Sequence, residues 1–261
     1  MAKRRNEDLD LSNVLSVQAA NGALQRTFHA DVIQSIRYMS TELTLNRDLP
    51  PRVALVAALR GEGVTHTAVA FGLTLASDTG ARVCVVELNW WSPGMIALLD
   101  PKATPDEAGK KGRKERAPLP SPTALANYPG ISKVLAGESS LDKAIIHSSL
   151  SNFDLIPAGD LSIIKRPSTA RSSSVKQILN ELSARYDHLL LDIPAIRTTS
   201  DSIALASLAD ACIVVAHQGV TSTASVQKAL DDVKSLTMLG VVLNKVSVSM
   251  PDWIRALVPQ E

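Results

Sequence analysis

The chain has little with which to staple itself. Of its 261 residues two are cysteine, Cys84 and Cys212, and each sits inside an apolar, β-branched run where a small buried thiol is the ordinary reading. Their spacing matches neither a metal knuckle nor a redox pair, and His29, His147, His188 and His217 show no ligand spacing. Long hydrophobic runs are lacking as well. The longest unbroken one, Val53 to Leu59, is far shorter than the roughly 20 residues a bilayer-spanning helix needs. The basic opening MAKRRNEDLD leads into no apolar stretch, which argues against a secretory signal. There is no excess of charge: 27 basic residues against 26 acidic ones leave +1, so no overall footprint of a nucleic-acid binder covers the molecule. These absences together point to a cytoplasmic protein that meets a membrane peripherally, through a partner or a surface segment.

What is present is material for a core. A chain of this length with 45% hydrophobic residues can bury one large unit. Residues 1–22 are polar and read as a loose tail. From 23 to 46, Leu24, Phe28, Val32, Ile36 and Met39 recur at spacings of three and four, the mark of an amphipathic helix, which Pro50 and Pro51 close. Apolar strands are then expected at 53–58, 82–87, 153–157, 188–192, 211–216 and 239–244. Helices are expected at 64–78, 172–185, 202–209 and 222–236. Short, continuously apolar strands alternating with helices imply a doubly wound, mainly parallel α/β sheet with helices on both faces, one domain over 23–261. The stretch at about 100–130 interrupts it. There a basic cluster (Lys110, Lys111, Arg113, Lys114, Arg116) and alternating prolines form a surface loop, either simply solvated or facing anionic lipid or an acidic partner. At the far end Met250, Trp253, Ile254, Leu257 and Val258 make one helical face, which either docks on the sheet or meets a partner.

The first strand runs into Arg60, Gly61, Glu62, Gly63, Val64 and Thr65 at the head of a helix. A glycine turn there presents unpaired N–H groups and a positive dipole end to a phosphate. In a P-loop the residue after the second glycine is a lysine that reaches the β and γ phosphates, and the next hydroxyl binds magnesium. Here those positions hold Val64 and Thr65: the hydroxyl is kept and the cation is gone. Read alone, Gly61 and Gly63 fit a tight strand-to-helix connection equally well. Two further strands each bring one acid, Glu87 and Asp192, to the carboxyl edge where open α/β sheets hold ligands. Carboxylates there suit either a magnesium site or a structural place, capping the next helix or sitting in solvent.

With those residues in view the sequence resembles the bacterial tyrosine kinases of capsule and exopolysaccharide synthesis, within the deviant P-loop class that also holds septum-placement and partition ATPases. The likeness runs from about residue 29 to 246. The loop from Ala57 to Thr65 is similar to the family's S-A-x-P-G-E-G-K-S/T, the run from Glu87 to Pro93 stands where the family has D-A-D-L-R-R-P, and LLLDIPA matches its third motif. The stretches at 131–145 and 153–159 also look like family segments. The resemblance implies ATP held by Gly61, Glu62, Gly63, Val64, Thr65 and His66, magnesium at Thr65, Glu87 and Asp192, and Asn244 against the adenine. It also implies an oligomerisation helix at Asp31, Gln34 and Arg37, its middle position altered to glutamine. Partners would be a membrane chain-length or polysaccharide co-polymerase adaptor, an intact kinase, or a second copy of the chain; nucleic acid is not among them.

The departures fall on chemistry. Val64 replaces the lysine, Glu87 and Asn89 replace the two acids of the second motif, and Trp91 and Ser92 replace its arginines. The given sequence ends MPDWIRALVPQE, and its tyrosines are Tyr38, Tyr128 and Tyr186, so no tyrosine-rich tail is expected. One lost charge-assisted hydrogen bond to phosphate costs about 1.5–3 kcal/mol, whereas phosphoryl transfer rests almost wholly on positioned charge. The expectation is a catalytically impaired regulatory or scaffolding protein that retains ATP and magnesium weakly if at all, with no confident catalytic residue. His66, a short neutral imidazole, is a poor stand-in for the lysine; Trp90 and Trp91 fill the emptied place or form an interface. Two rivals remain: an active kinase or ATPase with a substitute cation from Arg60, Lys245 or another subunit, and a partition-type ATPase.

Overall fold

A computed structural model describes residues 14–46, 49–102 and 127–246. The basic cluster at Lys110–Arg116 and the apolar C-terminal face at Met250–Val258 lie outside the described residues. The strands are β1 (Leu15–Gln18), β2 (Gln25–Phe28), β3 (Arg52–Ala57), β4 (Val83–Glu87), β5 (Ile146–His147), β6 (Phe153–Ile156), β7 (His188–Asp192), β8 (Ala211–His217) and β9 (Thr237–Asn244). The helices are α1 (Ala30–Asn46), α2 (Val64–Thr79), α3 (Met95–Leu99), α4 (Gly130–Leu135), α5 (Leu141–Ala144), α6 (Arg166–Ala170), α7 (Ser173–Arg185), α8 (Asp201–Ala206) and α9 (Thr223–Asp232).

Seven strands form one sheet in the order β5-β6-β4-β7-β3-β8-β9. Every pairing in it is parallel except β5 with β6. This is the doubly wound arrangement expected from the sequence. Successive side chains of a strand point to opposite faces, so β3 and β4 divide their residues between two cores. Val53, Leu55, Val83 and Val85 pack on the side of α1 and α2, while Ala54, Val56, Cys84 and Val86 pack on the side of α7. Both faces are dry, hence the near-continuous apolar runs. The central helix α2 lies close on the sheet because Gly72 leaves room: a Cβ there would come within 2.8 Å of Phe153 and Val85 side chains. Both cysteines are buried and unpaired, as their apolar settings suggested.

The N-terminal reading needs correction. Residues 14–22, expected at the end of a loose tail, carry β1, and the expected helix from 23 begins only at Ala30. β1 and β2 pair antiparallel, Leu15 opposite Phe28 and Gln18 opposite Gln25, with Gly22 at φ +71 in the turn between them. Leu24 and Phe28, four residues apart, suggested a helical stripe, but Leu24 immediately precedes a hairpin strand and Phe28 ends it, each 1% exposed. A four-residue spacing is even as well as near-helical, so a strand satisfies it equally. On α1, Arg37 bonds Asp78 of α2 at 3.0 Å, which engages within the chain an arginine expected at a subunit contact.

Candidate functional site: a phosphate-type cleft at the head of the central helix

The sheet gathers the expected residues at one edge. β3 delivers the loop 58–63 to the start of α2, where Gly61 (φ +82) and Gly63 (φ +93) take left-handed conformations that glycine alone adopts without penalty. No side chain caps the start of α2, so its first N–H groups and dipole face a cleft of about 400 Å³. Val64, Thr65, His66, Asn89, Trp91, Ser92, Pro194 and Lys245 are among its lining residues.

The loop's shape is held from behind. Glu62, 3% exposed, accepts from the Leu59 N–H at 3.0 Å and from the Thr221 hydroxyl. Its carbonyl accepts from the Asn244 side-chain amide at 2.9 Å. Asn244 presses so closely that a Cβ on Gly63 would sit 2.0 Å from its Nδ2. Asn244 also accepts from the Lys245 N–H at 2.8 Å. Both ends of the amide expected to meet a base are therefore engaged with backbone, and here Asn244 acts as a clamp on the loop.

The two strand-end acids are neighbours across the sheet, Glu87 opposite Asp192, but they differ in their partners. Glu87 Oε1 accepts from the Gly94 and Met95 N–H groups at 2.5 and 2.9 Å, and Oε2 from the Ala158 N–H at 2.9 Å. It caps α3 and ties down the end of β6. Of the two readings the sequence allowed, the cap is the one its geometry fulfils. Burial raises its pKa, and the three N–H bonds partly oppose that rise.

Asp192 is fully buried. Its Oδ2 accepts from the Thr65 hydroxyl at 2.6 Å, while Oδ1 has no hydrogen-bond partner among the described residues. Burial first, then the charge of Glu87, hold its pKa well above the usual carboxylate range, against a smaller opposing effect from Thr65. A buried lone oxygen beside a helix-start hydroxyl suits a hydrated divalent cation such as magnesium, which takes one or two carboxylates plus phosphate oxygens. No group of three potential metal ligands occurs among the described residues.

The remaining residues fall around the cleft. Asn89 accepts from the Ser92 N–H at 3.1 Å, a turn-forming use of its amide. Trp90 is buried, its indole N–H donating to the Ala158 carbonyl at 3.0 Å, so it packs. Trp91 lines the cleft, and its carbonyl accepts from Arg60 at 2.8 Å. His66 stands edge-on to Phe28 with ring centres 5.0 Å apart. Burial, then Arg26, then Lys245 push its pKa down, which keeps it neutral near pH 7. Sequence reasoning missed Arg26, which lines the cleft. Its signal was the Asn21–Gly22 turn pair ahead of β2, hidden by the helical reading of that stretch.

Fold and loop together define a P-loop-type α/β protein. The comparisons with known proteins narrow the class. The chain is 31% identical over 147 residues to tyrosine-protein kinase YwqD of Bacillus subtilis, covering 53% of this chain and 61% of YwqD. It is 29% identical over 123 residues to tyrosine-protein kinase Wzc of Salmonella typhimurium, covering 46% of this chain and 17% of Wzc. The succinoglycan biosynthesis transport protein ExoP of Rhizobium meliloti is 23% identical over 201 residues, with 76% of this chain and 22% of ExoP covered. The chain thus spans less than two thirds of each of these relatives. Among solved structures the VpsO kinase domain superposes with a TM-score of 0.65 at 22% identity, over 83% of this chain and 95% of that one. No protein-family model matches the chain. The chain is similar in sequence to bacterial tyrosine kinases over part of their length and has the fold that their kinase domains share with MinD-like P-loop ATPases.

Proposed function

We propose that the chain is a degenerate member of the tyrosine-kinase-like P-loop proteins, retaining a weakened nucleotide site and serving exopolysaccharide synthesis as a regulatory or scaffolding partner rather than as a kinase. One observation carries the proposal: Val64, an aliphatic side chain, lines the cleft at the first position of α2, where a P-loop has its lysine. Two others support it. Both oxygens of Glu87 are committed to backbone N–H groups, and Asn89, which cannot act as a base, holds a turn. Positioned charge at the terminal phosphate is what phosphoryl transfer requires. The amide-rich loop, Thr65 and Asp192 are sufficient for binding. Magnesium would sit between Thr65, Asp192 and the phosphates, supplying charge neutralisation. The bond to Glu62 uses one of the two Asn244 amide hydrogens, and the other remains for a base.

The link to exopolysaccharide rests on the relatives' names, ExoP above all, and on that ground the partner is a membrane-bound assembly protein or an intact kinase. Among the described residues no helix is long and apolar enough to cross a membrane, which suits attachment through such a partner.

Titration of the protein with Mg-ATP, followed by assays for ATP hydrolysis and phosphotyrosine, tests this reading. Weak binding without turnover is expected. Hydrolysis abolished by Asp192→Ala would overturn it. Val64→Lys is expected to tighten Mg-ATP binding about tenfold or more, since a charge-assisted bond to phosphate contributes about 1.5–3 kcal/mol.

A further inference from the structure

We propose that Arg26 and Lys245 together form a replacement phosphate clamp at the His66 side of the cleft, so that the ligand is a polyphosphate chain held from its flank rather than at the lysine position. The inference rests on the reading of the cleft as a phosphate site and assigns its charge recognition to two residues outside the loop.

The distribution of charge around the cleft points this way. Arg26, Arg60 and Lys245 line it, and among the described residues that line it Glu62 is the one carboxylate. Glu62 is buried, with an oxygen on the Leu59 N–H and another on the Thr221 hydroxyl, so it leaves the cations unanswered. Arg60 is engaged by its bond to the Trp91 carbonyl. Arg26 and Lys245 line the same cleft as His66 and both act on its ring; Lys245 also lines the adjoining cavity with Arg60. Arg26 and Lys245 come from separate elements. Arg26 is carried by β2, which pairs with β1 and is anchored by buried Phe28. Lys245 follows β9 and is held at φ +56, a left-handed conformation uncommon for a side-chain-bearing residue, with its N–H on the Asn244 side chain. Non-glycine residues persist in that region where their surroundings fix them, often at functional sites.

A second observation indicates what kind of anion completes the site. Beneath the same helix start the fully buried Asp192 keeps an oxygen without a partner, a place for a cation carried by the ligand. A polyphosphate bearing magnesium meets both demands: negative oxygens for Arg26, Lys245 and the α2 N–H groups, and a positive ion for Asp192. Nucleoside triphosphates and inorganic polyphosphates share that chemistry.

Calorimetric titration of the full chain with magnesium tripolyphosphate, Mg-ATP and adenosine separates the sources and tests the clamp. Both phosphates are expected to bind and adenosine not. Arg26→Gln and Lys245→Gln should each weaken both phosphates about tenfold and flatten the salt dependence of binding, Arg26→Lys should restore most of the loss, and Lys143→Gln on α5 should change nothing. If the wild type binds neither phosphate, the phosphate-site reading itself falls. If it binds and Arg26→Gln and Lys245→Gln bind equally well, that reading stands and the clamp is overturned. Losses confined to ATP overturn it too. Should a variant fail to fold by circular dichroism, the wild type decides: affinity for tripolyphosphate that falls steeply with salt supports the clamp, and salt-insensitive binding overturns it.

Discussion

The ends of β4 and β7 carry two carboxylates side by side in register, Glu87 and Asp192, and they have met opposite fates. Glu87 is surrounded by three N–H donors from two different segments. Asp192 has one hydroxyl and an oxygen without a partner among the described residues. A buried polar atom is costly unless paired, so a fully paired acid can be explained by folding alone, whereas a half-paired one asks for a ligand. The longer side chain decides which is which. Glutamate reaches past the strand end into the backbone of 94, 95 and 158, while aspartate stops beneath the loop. Glu87 has thus become part of the frame.

The sharpest way to break this contrast is to delete each acid and measure stability. Glu87→Ala leaves two buried N–H groups, of Met95 and Ala158, and the half-buried one of Gly94 without an acceptor, each buried one costing about 1–3 kcal/mol. A loss of about 3–5 kcal/mol is expected in chemical denaturation, with the start of α3 the first segment to open in hydrogen exchange. Asp192→Asn removes a buried acid and keeps an acceptor for Thr65, so it should leave stability unchanged or improved. A Glu87→Ala protein as stable as wild type would remove the structural assignment of that residue.

The second comparison is functional and smaller. Asp192→Asn is expected to weaken magnesium-dependent nucleotide binding by about tenfold, the loss of one charged partner, while binding measured without magnesium stays the same. Glu87→Gln, which keeps the acceptor but not the charge, should leave both measurements near wild type. Equal losses from the two variants would mean that both acids serve the cation, as the sequence had suggested.

Much of the fold could be read beforehand because the sheet is buried on both faces. Strands such as Val83–Glu87 and Ala211–His217 announce themselves as apolar runs, and the acids at their ends mark the carboxyl edge. The hairpin could not be read this way. Its buried residues Val17, Leu24 and Phe28 are spread among polar ones, so the Asn21–Gly22 pair in its turn is its one local hairpin signal. The site was legible in its loop and not in its partners. Gly61, Gly63 and Thr65 are local, whereas the bonds from Thr221 to Glu62, from Asn244 to the Glu62 carbonyl and from Ala158 to Glu87 join residues 71 to 182 positions apart. Arg26 stayed hidden for the same reason, since its place on the cleft follows from the hairpin's docking.

The subtlest difference between the acids should appear in the pH dependence of stability. Burial raises both folded-state pKa values, Asp192 further than Glu87 because N–H bonds hold Glu87 back. A carboxyl whose pKa is higher folded than unfolded binds its proton more tightly in the native state. Its contribution is fully present below the unfolded value of about 4 and is lost as pH rises through the raised folded value. Asp187, held down to about 2 by its bonds to Arg82, acts with the opposite sign, its contribution fading only as pH falls toward 2. Above the ordinary carboxylate range the raised pair therefore governs: wild-type stability should decline from pH 5 upward, Asp192→Asn should flatten most of that decline, and Glu87→Gln should flatten less. Magnesium with a bound phosphate ligand would displace the Asp192 proton, so ligand affinity should strengthen over the same range in which the empty protein weakens. Denaturation curves taken at several pH values with and without magnesium tripolyphosphate would show the two trends diverging, and parallel curves would mean that Asp192 is not where the cation binds.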